Sequence, residues 1–247
     1  MCGRYAYFLP PEAMLALFQV MNDITYGPRY NVTPTQPIIG ISEQQGVRKA
    51  QYFRWGFVPG WVKDPRDFPL LINARAETMA EKPAFRDAVR HMRCVIPANG
   101  YYEWMKAPGG KRLPYYITLA DDEPMAFAGL YSIWSGPDGE EVDTAAIVTV
   151  EPNLEISSVY DRMPAILRGK AAIDAWLNTR EVDVKQALQL ATTLPEGSMK
   201  YHPVGRAIGR ADSEGPELIK QIDPAAEPVE EPKKKKKKAA SGQLDLF

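Results

Sequence analysis

The sequence predicts an α+β fold, a single domain on a curled, partly closed, mostly antiparallel sheet flanked by helices. Short strand-like runs are numerous, helical segments are few, and no internal repeat or phosphate-loop motif interrupts them. A length of 247 residues with 45% hydrophobic and 10% aromatic content is enough for one sizeable core, so these runs are expected to share a domain over residues 2–210.

Pro10-Pro11-Glu12 opens the first helix, because proline is tolerated in a first turn, and Met14, Leu15, Leu17, Phe18 and Met21 supply its apolar face. The loop Asn31 to Thr35 leads into a strand from Pro37 to Ser42, and a second strand, Val47 to Arg54, follows a Gln-Gln-Gly turn. Arg54 to Trp61 is too rich in Gly and Pro for a regular element and reads as a shaped loop. A short helix is expected around Pro83 to Val89. Arg93 to Pro97 and Gly100 to Trp104 read as strands joined by a turn at Asn99-Gly100. Three more strand-like runs are Tyr115 to Leu119, Met125 to Tyr131 and Thr144 to Val150. A helix pair, Lys170 to Leu177 and Val184 to Leu190, precedes a last strand near Tyr201 to Val204.

Near Asp212 the composition turns acidic and Pro/Ala-rich, then gives Lys233 to Lys238 and the ending Gln243-Leu244-Asp245-Leu246-Phe247. Residues 211–247 are therefore expected to form a disordered tail. No run approaches the roughly 18–20 apolar residues of a membrane span, and the start lacks a charged segment followed by an apolar one, so a cytoplasmic protein is expected. Cys2 and Cys94 cannot make a disulfide framework, and with only His91 and His202 there is no zinc spacing, so neither metal nor cofactor is expected. Cys94, within an apolar strand, reads as a buried hydrophobe. Lys+Arg 30 against Asp+Glu 31 leaves a net charge of -1, so a nucleic-acid partner has to be held by a local patch.

The small residue at position 2 allows an aminopeptidase to remove Met1 and expose Cys2. The terminal amine, of reference pKa about 7.7–8.0, and the thiol, about 8.5, then share one carbon skeleton. Such an aminothiol condenses with an aldehyde to a Schiff base, and the thiol closes on the same carbon to give a thiazolidine. An internal cysteine cannot do this.

Met1-Cys2-Gly3-Arg4-Tyr5, Arg54-Trp55-Gly56-Phe57-Val58-Pro59, Asn73-Ala74-Arg75-Ala76-Glu77-Thr78, Gly100-Tyr101-Tyr102-Glu103-Trp104 and Asp161-Arg162-Met163-Pro164 occur in that order. Together they resemble the SRAP (SOS response-associated peptidase) family over roughly residues 2–205. The resemblance implies a sensor of abasic sites in single-stranded DNA whose terminal cysteine links covalently to the ring-opened sugar, in a nucleoid-associated setting. The peptidase activity in the family's name is expected to amount to removal of Met1.

The residues suit that chemistry. A carboxyl flanked by Tyr101, Tyr102 and Trp104 would have its pKa raised by desolvation, which makes Glu103 the candidate acid-base. Asn73 has neutral donor and acceptor groups suited to orienting a sugar or carbinolamine oxygen, as the family's corresponding Asn does. Arg4, Arg75 and Arg162, with Gly3 beside them, are candidate phosphate contacts, because guanidinium forks suit bidentate recognition. Trp61 is assigned to stacking on bases and Trp55 to packing. The departure is Tyr160, where the family usually has His; a phenol of reference pKa about 10 is a poor proton shuttle at neutral pH, so ring opening or reversal is expected to be slowed. This leaves open a non-covalent single-strand binding module. A thiol peptidase is disfavoured because Cys2 has no evident His partner. The ending resembles the Gln-Leu-(Ser/Asp)-Leu-Phe peptides that dock on the bacterial sliding clamp, with Gln243, Leu244, Leu246 and Phe247 as its contacts.

Overall fold

The structure, a computed structural model, describes residues 2–106 and 112–225. The chain starts with a short strand β1 (Tyr5–Tyr7), a helix α1 (Pro11–Phe18) and strands β2 (Arg29–Val32), β3 (Pro37–Gln44), β4 (Val47–Trp55) and β5 (Asn73–Arg75). A one-turn helix α2 (Ala88–His91) precedes β6 (Arg93–Ala98), β7 (Gly100–Lys106), β8 (Arg112–Leu119), β9 (Met125–Ser135) and β10 (Glu141–Val150). The short helix α3 (Leu154–Ser157) and β11 (Met163–Pro164) lead to α4 (Gly169–Leu177), α5 (Val184–Leu190) and β12 (Met199–Pro203).

These strands form two sheets. One is antiparallel with the order β12-β8-β7-β1-β2. In the other, β10, β4, β3, β6 and β9 follow one another and β9 pairs back onto β10, so five strands close into a barrel. Closure leaves those strands without open edges. Only the β4–β10 contact in the ring is parallel, which agrees with the curled, mostly antiparallel sheet read from the sequence. Trp55, Phe53, Phe127, Ile41 and Ile147 belong to a core that extends to Tyr5 and Tyr101 of the flat sheet.

The capping helices are held by a buried cation. Arg93, fully enclosed, donates to the carbonyls of Val89, Trp176, Asn178 and Val182, three of which lie at or beyond the end of α4. Among the described residues no carboxylate forms an ion pair with it, although the Asp183 charge favours its charged form. The partial negative charge of the helix end and its free carbonyls takes that role, while burial pulls the guanidinium down to about 10.

The turn expected at Asn99-Gly100 is a crossing between sheets. β6 lies in the barrel and β7 in the flat sheet, and neither Asn99 nor Gly100 has the positive φ of a two-residue hairpin turn. Gly100 is required for space: a Cβ there would stand 2.5 Å from the Tyr116 ring and 2.7 Å from the Ile117 carbonyl. Asn99 fixes the bend from its other side, accepting from the Phe8 N–H at 2.7 Å and donating its own N–H to Ala6 at 2.8 Å. In α1, Met14 and Phe18, four residues apart, are buried, whereas Leu17 and Met21 are exposed. The helix stops at Phe18 because Gln19 turns left-handed, so Met21 lies beyond its face. The helix expected over Pro83 to Val89 is a run of turns that becomes helical only at Ala88, with Phe85 and Val89 turned inward.

Residues 211–225, assigned to the tail by composition, lie against the flat sheet. Asn31 donates to the Ser213 carbonyl, Arg29 pairs with Glu214, and Leu218 is buried with Tyr102 and Tyr116. Among the described residues no helix is long and apolar enough to cross a membrane.

Gly100→Ala is expected to lower unfolding free energy by about 1–3 kcal/mol, the cost of overpacking a filled site, because the Ile117 carbonyl belongs to a paired strand and cannot retreat. Urea unfolding measures this. An unchanged midpoint would mean that the crossing has room for a methyl group.

Candidate active site

The site forms where β10 changes partners. Its first half pairs with β4 on one edge, at Thr144 and Ala145, and then β5 takes over that edge at Ile147 to Thr149. On the opposite edge β9 gives way to β11 at Thr149 and Val150. β4 can leave because Gly56 adopts φ +141, a conformation that favours glycine, and a Cβ there would meet Leu70 at 2.4 Å. Asn73 and Arg75 on β5 are thereby brought to the same end of the barrel as Arg162, which precedes β11.

The N-terminal segment runs beside β7. Tyr5 is opposite Tyr101, Ala6 opposite Gly100, and the Tyr102 N–H donates to the Arg4 carbonyl at 2.9 Å, so continuing toward residue 2 leads to Glu103. Cys2 is fully buried. Burial pushes its thiol up, and the Glu103 charge adds to this, whereas the amino terminus and the Arg4 N–H act in the opposite direction. The thiol is therefore neutral at physiological pH.

Glu103 is 3% exposed. Burial raises its carboxyl from 4.5 to about 7, against the lowering effect of the positive amino terminus and with a further upward contribution from Asp161. Sequence reasoning identified Glu103 and the direction of its shift but missed Asp161, although it lies in the same quoted block as Arg162. Tyr160 and Asp161 follow α3, whose start is capped by Asn153 accepting from the Ile156 N–H at 3.1 Å, and the Tyr160 N–H closes the turn onto the Ile156 carbonyl. Burial first, then the charges of Glu103 and Asp161, push the Tyr160 phenol up, so it stays protonated. Tyr160 and Asp161 also line a cleft of about 320 Å³ with Trp104, Lys106 and Arg112.

Asn73 donates from Nδ2 to the Ile147 carbonyl at 3.4 Å, and its Oδ1 is buried without a partner among the described residues. Leaving a buried acceptor unpaired costs about 1–3 kcal/mol, which a donor on a bound ligand would offset.

The three arginines differ. Arg4 donates from Nη1 to Asn31 Oδ1 at 2.8 Å and to the Ile208 carbonyl, and lies 5.7 Å from the Trp104 ring centre. Arg162 donates to both oxygens of Glu77, at 2.8 and 3.0 Å, and to the Thr149 carbonyl. Arg75 is exposed. Glu77 was legible as a polar residue inside the block from Asn73 to Thr78; Asn31, read as the start of a loop, and Thr149, in the apolar run of β10, carried no signal. Trp55 is fully buried with its indole N–H on the Ile72 carbonyl. Trp61 is 60% exposed, edge-on to Phe68, and among the described residues no contact joins it to Cys2 or Glu103. His202 is bonded to the Ile219 carbonyl, and Cys94 is buried in the barrel. Gln243, Leu244, Leu246 and Phe247 lie outside the described residues.

The family model described as "SOS response associated peptidase (SRAP)" matches residues 1–211. Abasic site processing protein YoqW of Bacillus subtilis is 35% identical over 222 residues, covering 89% of this chain and 99% of its own. Abasic site processing protein YedK of Escherichia coli is 35% identical over 232 residues, 90% of this chain and 100% of its own. A crystal structure of a protein from Bacteroides thetaiotaomicron superposes with a TM-score of 0.80 at 25% identity, covering 90% of this chain and 100% of that one.

A carboxyl raised from 4.5 to about 7 keeps its proton in the folded domain after the unfolded chain has lost it. Stability attributable to Glu103 therefore falls as pH rises between those values, by on the order of 3 kcal/mol in full. Glu103→Gln should be more stable than the parent at pH 8, with a much smaller gap at pH 5, as read by urea unfolding at both. A gap independent of pH would exclude the raised pKa.

Proposed function

The chain belongs to the SOS response associated peptidase (SRAP) family, and from that membership we propose that it processes abasic sites in single-stranded DNA by capturing the ring-opened sugar on Cys2. The observation that carries this reading is the buried Glu103 carboxyl, poised at about 7 and within electrostatic reach of Cys2.

Removal of Met1 puts the reacting amine on Cys2. Glu103 takes a proton from that ammonium, the free amine adds to the sugar aldehyde, and the carbinolamine oxygen leaves as water with the proton Glu103 returns. The Cys2 sulfur then adds to the C=N carbon, its proton moves to nitrogen, and a thiazolidine results with net loss of one water. A neutral thiol suits this order, since the amine acts first. The unpaired Asn73 Oδ1 supplies an acceptor for a sugar hydroxyl or the carbinolamine O–H. Arg75, Arg162 and, through its remaining donors, Arg4 hold the flanking phosphates, and Gly3 lets the backbone approach them. Trp61 offers an exposed face for a base.

Tyr160 favours one second reading, a single-strand binding module with weakened chemistry. A phenol held protonated donates a hydrogen bond without cycling a proton. The candidate catalytic and DNA-binding residues lie within 2–210 in either reading, and the ending Gln243-Leu244-Asp245-Leu246-Phe247 supplies a peptide for the bacterial sliding clamp, with Leu and Phe as apolar anchors and Gln243 fixing register. Lys233 to Lys238 beside it adds salt-sensitive attraction to phosphates.

Incubation with an oligonucleotide bearing one abasic site, followed by denaturing electrophoresis, should give a heat-stable adduct that Cys2→Ala abolishes and Cys2→Ser does not restore, because an oxazolidine is labile. Intact Met1 in the mass of the active protein would exclude this route. In the same assay Tyr160→His should speed formation or reversal by tenfold or more, on the order of the 10²–10⁴ range of general acid-base groups. No adduct, with single-strand binding retained, would select the second reading. A peptide of residues 241–247 should bind the clamp at about micromolar affinity, near −8 kcal/mol, and lose it on Leu246→Ala with Phe247→Ala. Absence of binding at low salt in a titration would refute the docking role.

A further inference from the structure

A guanidinium has five N–H donors, and a phosphate is best held by two of them in parallel. In Arg162 the Nη1 and Nη2 prongs already face the two oxygens of Glu77, at 2.8 and 3.0 Å, and Nη2 gives a further bond to the Thr149 carbonyl at 2.6 Å. The remaining Nε is buried without a partner among the described residues. A phosphate reaching this residue therefore finds the fork filled by a carboxylate.

The two partners differ in freedom. The Arg162 side chain is 12% exposed and the Glu77 side chain 45%, so the carboxylate is the one able to leave. Burial raises the Glu77 carboxyl, but the bond to Arg162 and the charges of Arg162 and Arg75 outweigh that and hold it ionised. Arg75, exposed at the end of β5 two residues before Glu77, is a second cation within its field.

We propose that Glu77 is a specificity-determining residue: an internal anion that occupies the phosphate fork of Arg162 until a DNA phosphate displaces it. The proposal rests on the reading of Arg162 as a phosphate contact. Exchange of one anion for another adds little net affinity, so the contact orients the strand and does not by itself hold it. An undamaged strand, with no aldehyde to be captured, is released. The displaced carboxylate stays beside the DNA, so the Arg162/Glu77 pair brings no net positive charge to the strand, and the cation release that a phosphate contact brings is largely offset, which keeps the salt dependence of binding low.

The test is equilibrium binding of the full chain to a labelled, undamaged oligo-dT over a range of salt, followed by anisotropy. Glu77→Gln should tighten binding at low salt by roughly two- to fivefold, the range of an exposed ion pair. It should also steepen the slope of log K against log salt by about 0.7, one single-strand phosphate contact. Arg162→Ala added to Glu77→Gln should remove both gains. Glu77→Asp, which keeps the charge on a shorter arm, should fall between parent and Glu77→Gln. If Glu77 merely braces Arg162, Glu77→Gln will bind equally or more weakly, and with Arg162→Ala still weakening the parent, that outcome overturns the competitor and leaves the phosphate reading standing. If neither Arg162→Ala nor Arg75→Ala weakens binding, the phosphate reading itself fails and the competitor with it. Thermal melting of each variant separates loss of fold from loss of contact.

Discussion

Every backbone N–H and C=O along β10 has to be paired, because the strand runs through the core and its residues from Thr144 to Val150 are buried. No single neighbour follows it for its full length. β4 and then β5 satisfy one edge, β9 and then β11 the other, and both handovers fall within a few residues of Thr149. The barrel is closed by hydrogen bonds at one end of β10 and opened at the other by the same requirement. The polar residues of β5 and of the segment before β11 gather at the opened end because those short strands have to be there.

The second organising fact is the treatment of buried ionisable groups. Arg93 is enclosed and satisfied by four carbonyls, a structural solution with all its donors directed inward. Glu103 is enclosed on the flat sheet at a cost that appears as a raised pKa. Asn73 keeps an acceptor without a partner among the described residues. In contrast to Arg93, the raised Glu103 carboxyl and the unpaired Asn73 acceptor each carry a cost in stability.

Much of the fold was legible because side-chain periodicity reports local structure. The helices at residues 169–177 and 184–190 and the strands at 37–44, 47–55 and 141–150 stand within about three residues of their expected places. Asn99-Gly100 was misread because one dipeptide serves two purposes: in a hairpin the glycine supplies a positive φ, and here it supplies empty space beside Tyr116. Residues 211–225 were misplaced because their composition is that of a linker, and only the docking of Glu214 and Leu218 on the flat sheet shows that they belong to the domain.

The sequence by itself determined the chemical groups at hand: a thiol at residue 2 next to Met1, a carboxyl among aromatic residues at 103, an amide at 73, a phenol at 160. These are properties of residue types and their immediate neighbours, and neighbours in the chain are neighbours in space along a strand. Tertiary structure decided how each group is used. Arg4, Arg75 and Arg162 look alike in sequence, yet one is tied to Asn31, one stands exposed and one is clamped by Glu77, 85 residues away in the chain. A partner at that separation is chosen by where β10 exchanges its neighbours, which no local pattern encodes.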